Sequence, residues 1–106
     1  MTAKVFGKIS EKAFLQKIVQ LAVCHRWWWA HFTQAQVRDG AWVTPQRGHL
    51  GFPDLVLARN GQLIIAEVKA EDGKPSAEQL AWLERLGPTG RLWYPADWEQ
   101  IVQDLR

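Results

Sequence analysis

Asn60-Gly61 falls between two short apolar runs, residues 54–58 (DLVLA) and 63–70 (LIIAEVKA), with Arg59 and Gln62 on either side. No other pair in the chain restricts the fold as much. Both central positions of a type I′ turn need φ > 0, and the turn then fixes the register of the two strands it joins. The first run opens on a carboxylate, Asp54, and the second carries Glu67 and Lys69 near its end. Side chains alternate along a strand, so Glu67 and Lys69 share one face while Ala66, Val68 and Ala70 take the other. Isolated charges in such apolar company are costly unless paired or bound to a metal. A hairpin that sets Asp54 beside Glu67 gathers two carboxylates and an ammonium, an arrangement suited to a divalent cation and a phosphodiester.

The chain of 106 residues is read as one domain, residues 1–106, long enough for a modest core. A hydrophobic share of 47% beside 23% charged residues is that of a globular chain, and no apolar run reaches bilayer length. The first ten residues lack the hydrophobic centre of a signal peptide, so a cytoplasmic location without membrane partners is expected. The single cysteine, Cys24, excludes an internal disulfide and fits a reducing compartment. His25, His31 and His49 have no zinc-ligand spacing with it. The net charge of +2 conceals an asymmetry: residues 1–50 hold seven Lys/Arg against two acids, and residues 51–106 hold six against nine. A basic half beside an acidic half fits a phosphate grip next to a carboxylate-lined metal site, although on the count alone ordinary solvated charge is the favoured reading.

Along the chain, Ser10 reads as an N-cap, and Phe14, Ile18, Leu21 and Ala22 recur at helical spacing, predicting a helix over 11–25. Glu11 lies on the rim of that stripe, where it serves as a dipole partner or reaches a site at the sheet edge. Residues 27–32 (WWWAHF) favour a strand, with one tryptophan face under the helix and the other presented outward. The outward face suits base stacking or self-association, and self-association is the commoner use of exposed apolar surface. Residues 33–50 read as a loop with one short strand near 41–44. Ser76 and Gln79 form a capping-box pattern for a helix over 77–86 with Leu80, Leu83 and Leu86 inward. A fourth strand is expected at 91–94, and a last helix at 98–105, capped by Asp97 with Ile101, Val102 and Leu105 inward. The fold class is thus α/β, a small mixed sheet of about four strands flanked by helices.

Pro53-Asp54 followed by Glu67-Val68-Lys69 resembles the P-D…(D/E)-X-K pattern of restriction-endonuclease-like nucleases. The wider text, GFPDLVLARNG and IIAEVKAEDGKPSAEQLAWL with an N-terminal helix bearing an early Glu, is similar to stand-alone VRR-NUC domains of phages and bacteria. The likeness is strong over 48–83 and weak over 27–47 and after 87. It implies an α/β core that cuts DNA phosphodiesters with Mg²⁺ or Mn²⁺. By motif position, Asp54 and Glu67 would hold the metal with the backbone carbonyl of Val68, and Glu11 would be the helix-borne acid near it. Lys69 would orient the attacking water or stabilise charge on the phosphate, and Gln79 would hold the assembly in place. The resemblance also implies a homodimer acting on branched DNA such as Holliday junctions. Hard oxygen donors do suit Mg²⁺, which takes only one or two carboxylates. His49, five residues before Asp54, is a weaker phosphate-contact candidate. Two other classes stay open: a nucleic-acid-binding module that keeps the fold without turnover, and a nuclease for RNA or duplex DNA.

Overall fold

The computed structural model of the chain describes residues 8–32, 35–36, 42–43 and 47–106. Helix α1 (Glu11–Cys24) opens with the Ser10 side chain accepting the Ala13 N–H and buries Phe14, Ile18 and Ala22. Strand β1 (Trp28–His31) follows, then two short strands, β2 (Ala35–Gln36) and β3 (Trp42–Val43), which pair with each other. The hairpin strands are β4 (Leu55–Arg59) and β5 (Gln62–Val68); helix α2 (Ala77–Leu86), strand β6 (Gly90–Trp93) and helix α3 (Trp98–Leu105) complete the chain. The protein is therefore a mixed α/β fold, with a main sheet in the order β1-β4-β5-β6. β1 and β5 each run antiparallel to β4, whereas β6 runs parallel to β5 across the α2 crossover.

The Asn-Gly turn sets this register as its chemistry requires. Asn60 and Gly61 both have positive φ, 49° and 80°, and Arg59 pairs directly with Gln62. Helices α1 and α3 cover one face of the sheet, where Phe14, Ile18, Ile101 and Leu105 meet Leu55, Leu57, Ile64, Ala66, Val68 and Trp93. Each large side chain so buried contributes about 1.5–3 kcal/mol of transfer free energy. Trp27 joins this core, and its indole N–H donates to the Leu105 carbonyl at 2.9 Å. Trp28 and Trp29, on opposite faces of β1, are both exposed, so the expected packing of one strand face under the helix is met only by Trp27, which precedes the strand.

Four expectations need correction. The second hairpin strand ends at Val68 rather than Ala70, because its antiparallel partner stops at Leu55 and Pro53 has no N–H to extend the ladder. Leu80 is exposed and no α2 residue is fully buried, since α2 rests on β6 through Leu83 and Leu86, whose side chains crowd Gly90. Asp97 makes no side-chain cap to α3: its carboxylate accepts the Tyr94 N–H at 2.8 Å and closes a 3-10 turn, Pro95–Asp97, that leads into the helix. The loop expected over 33–50 also contains a second short strand, β2, paired with β3. Positions 41 and 44 of the expected short strand lie outside the described residues, as do Lys4, Arg38, Asp39, Gly40 and Pro45. No helix among the described residues is long and apolar enough to cross a membrane.

Candidate metal centre at the end of the hairpin

Asp54 is delivered to the sheet by a loop pinned against α2. Gly51 has φ +89°, and a Cβ there would stand 2.6 Å from the Glu78 Cβ and 2.8 Å from the Gln79 nitrogen, so only glycine allows this approach. Phe52 packs edge-on against Trp82 with ring centroids 4.9 Å apart, and the Trp82 indole N–H donates to the His49 carbonyl at 3.1 Å. Pro53 is fully buried. The Asp54 carbonyl then accepts the Phe32 N–H at 2.8 Å, and its Oδ1 accepts the Val68 N–H at 3.1 Å. One residue thus ties β4 to both of its neighbours.

Leu55 pairs with Ala66, so the next position outward sets Asp54 across from Glu67. Residues opposite one another in an antiparallel pair share a face. Glu67 is 4% exposed, the only charged or polar residue buried among those described. Its Oε2 meets the Lys69 ammonium at 3.2 Å, while its Oε1 is buried with no hydrogen-bond partner. Burial, and then the field of Asp54, push the Glu67 carboxyl up to about 7 against the pull of Lys69. Burial raises Asp54 as well, opposed chiefly by the Val68 N–H and by His31.

Lys69 continues the parallel ladder, its N–H donating to the Trp93 carbonyl at 3.0 Å. Gly73 packs against its stem, and the Tyr94 hydroxyl donates to the Gly73 carbonyl at 2.9 Å, holding the turn in place. Asp54, Glu67, Val68 and Lys69 therefore converge as the spacing predicted. Glu11 stays at the exposed start of α1, and its charge is the weakest of the influences raising Glu67. Gln79 is engaged at its cap: its Oε1 accepts the Ser76 N–H at 2.9 Å while its own N–H donates to the Ser76 hydroxyl at 3.1 Å. The His49 carbonyl anchors Trp82.

Sequence reasoning overlooked His31. Its Nε2 stands 3.5 Å from Asp54 Oδ2, with the side chain 19% exposed. His31 pairs with Leu55, and strict alternation would send it to the other face; only the β1–β4 register exposes the proximity.

An orphaned, buried carboxylate oxygen leaves an anionic acceptor that the protein itself does not satisfy. Two oxygen-donor acids fit a hard divalent cation, which needs no more than one or two carboxylates. Among the described residues no three His, Cys, Asp or Glu side chains form a ready-made cage. The fit thus rests on the carboxylate pair of Asp54 and Glu67. Comparison of the chain with protein-family models, curated proteins and solved structures finds no match.

Proposed function

We propose that this chain is a divalent-cation-dependent nuclease that hydrolyses phosphodiester bonds in DNA, in the manner its resemblance to VRR-NUC domains implies, with branched DNA as the favoured substrate and a homodimer as the acting form. The observation that carries the reading is the buried, unpartnered Glu67 Oε1 beside Asp54, with Lys69 on the other oxygen. Clusters of buried charge seldom stabilise a fold better than apolar packing does, so a structural purpose accounts poorly for these three residues.

In this reading Asp54, Glu67 and the Val68 carbonyl would hold Mg²⁺ or Mn²⁺, and the chemistry such a cation supplies when bound would be a lowered pKa of water and neutralisation of charge on the phosphate. Asp54 is held in place because its other oxygen is fixed by the Val68 N–H. The Lys69 ammonium, anchored by Glu67 and the Gly73 turn, supplies a positive donor to a phosphate oxygen or to the attacking water. Glu11 adds acidic charge from the helix start.

The test is cleavage of junction, flap and linear DNA with Mg²⁺ or Mn²⁺, comparing the wild-type chain with Asp54→Ala and Lys69→Ala. Metal-dependent products that vanish in both variants support the reading. Salt-dependent DNA binding without product, the same in wild type and Glu67→Ala, would instead make the chain a binding module.

A further inference from the structure

Resting on the nucleic-acid reading just proposed, we infer that Trp28 is a stacking platform for an unpaired base of the substrate, set on the same face of the sheet as Glu67. Trp28 pairs with Ala58 and Ala58 with Leu63, so the three stand in one row across β1, β4 and β5. Along β5, Leu63, Ile65 and Glu67 alternate onto one face, the face turned away from the α1–α3 core. Helix α2 covers that face at its β6 edge, where Ile65 pairs with Gly90 and Leu83 and Leu86 crowd the glycine. At the β1 edge Trp28, Ala58 and Leu63 are all exposed, Trp28 by 84%. A bare apolar row of this kind marks contact with something outside the chain.

The surroundings of the row favour a nucleic acid over a second copy of the chain. Trp28 and Leu63 border an open hollow of about 490 Å³ that Arg26 and Arg59 also line, with no acid among the described residues around it. Arg59 is committed to the carbonyls of His25, Leu105 and Arg106. The Arg26 guanidinium is exposed and has no partner among the described residues, so it is the cation available to a ligand. A symmetric second copy would meet this patch with itself and set like-charged arginines together. A nucleic acid brings the complement, a π-face for the indole and a phosphate for the guanidinium. Stacking on an aromatic ring accepts any base, so the platform selects for an unpaired base and not for a sequence. Leu63 and Glu67 lie four residues apart on β5, roughly 13 Å, and stacked nucleotides rise by about 3.4 Å each. A strand laid along this face with one base on Trp28 therefore reaches Glu67 roughly four or five nucleotides away.

The experiment reads binding in EDTA, apart from any cleavage. The full chain is titrated into single-stranded and duplex oligonucleotides carrying 2-aminopurine, whose fluorescence is quenched when the base stacks. Wild-type protein is expected to quench the single strand and to change the duplex little. Trp28→Ala should abolish the quenching and weaken single-strand binding roughly tenfold, with the unfolding midpoint unchanged, and Trp28→Phe should restore part of both. Arg26→Ala should keep the quenching and lower the slope of log K against log salt by about one. Equal quenching by wild type and Trp28→Ala would overturn the platform. So would a dimer, seen by sedimentation equilibrium, that Trp28→Ala splits while single-strand binding is unchanged, because the face would then belong to a second copy. Both outcomes leave the proposed roles of Asp54, Glu67 and Lys69 standing. Quenching that depends on Trp28 in a chain that cuts no DNA with Mg²⁺ or Mn²⁺ would support the platform and remove the nuclease chemistry instead. Absence of binding to any of the oligonucleotides would overturn the nucleic-acid reading and this inference with it.

Discussion

Asp54 Oδ1 accepts the Val68 N–H at 3.1 Å, so the first acid of the candidate site also closes the β4–β5 ladder. Two functions on one side chain can be separated by substitution. Asp54→Ala leaves the Val68 amide without its partner and is expected to cost about 1–3 kcal/mol in urea unfolding. Asp54→Asn keeps an oxygen that can accept that N–H, and its stability should stay within about 1 kcal/mol of wild type. Both variants should lose metal-dependent cleavage. An Asp54→Asn protein that still cuts DNA would remove Asp54 from the metal centre.

Glu67 makes a pH prediction whose direction is opposite to that of an ordinary paired carboxylate. Its carboxyl titrates near 7 when folded, against an ordinary value of 4.5. Between those values the folded chain holds a proton that the unfolded chain has released, so stability falls as pH rises across that window. The stabilisation is complete below about pH 4.5 and is lost as pH passes through 7, by roughly 3 kcal/mol at most. Asp54, also raised, adds to the same trend. Urea midpoints measured in metal-free buffer at pH 5.5 and 8 should differ accordingly. Glu67→Gln should flatten most of that difference and be the more stable protein at pH 8. Equal midpoints for wild type at both pH values would contradict the burial of an unsatisfied Glu67.

How much of this could be read from residues alone follows from which interactions are local. The Asn60-Gly61 turn, the Ser10 and Ser76 caps and the stripe of Phe14, Ile18 and Ala22 depend on neighbours within four residues, and all appear as expected. The convergence of Asp54 and Glu67 follows as well, because a two-residue turn dictates which residues face each other. What escaped depends on distant pairing. The approach of His31 to Asp54 needs the β1–β4 register, which no local signal specifies. The exposure of Leu80 depends on which ridge of α2 meets Gly90. The role of Arg59 as a clasp on the C-terminus has no sequence signal at all.

That clasp gives a prediction remote from the site. The Arg59 guanidinium donates to the carbonyls of His25 (3.0 Å), Leu105 (3.1 Å) and Arg106 (3.0 Å) and stacks over Trp27 at 4.3 Å from the ring centroid. Lysine has no planar fork with which to reach three acceptors. Arg59→Lys and Arg59→Ala are therefore both expected to destabilise the chain, by about 2 kcal/mol. Thermal unfolding measures the loss, and cleavage per folded molecule should be unchanged. A loss of activity without a loss of stability would mean that Arg59 contacts substrate.

Gln79 permits the sharpest division between structure and chemistry. Its side-chain oxygen accepts the Ser76 N–H and its backbone N–H donates to Ser76, which accounts for the residue as a capping box. Glutamate serves that box equally well, so Gln79→Glu should keep the unfolding midpoint of wild type, whereas Gln79→Ala should lose about 1 kcal/mol. The same Gln79→Glu substitution removes the amide NH₂ and adds negative charge to the helix start that packs against the Asp54 loop. If Gln79 also steadies the metal centre, cleavage by Gln79→Glu should drop tenfold or more at unchanged stability. Full activity in Gln79→Glu would assign this side chain to the α2 cap alone and leave Asp54, Glu67 and Lys69 to carry the reaction.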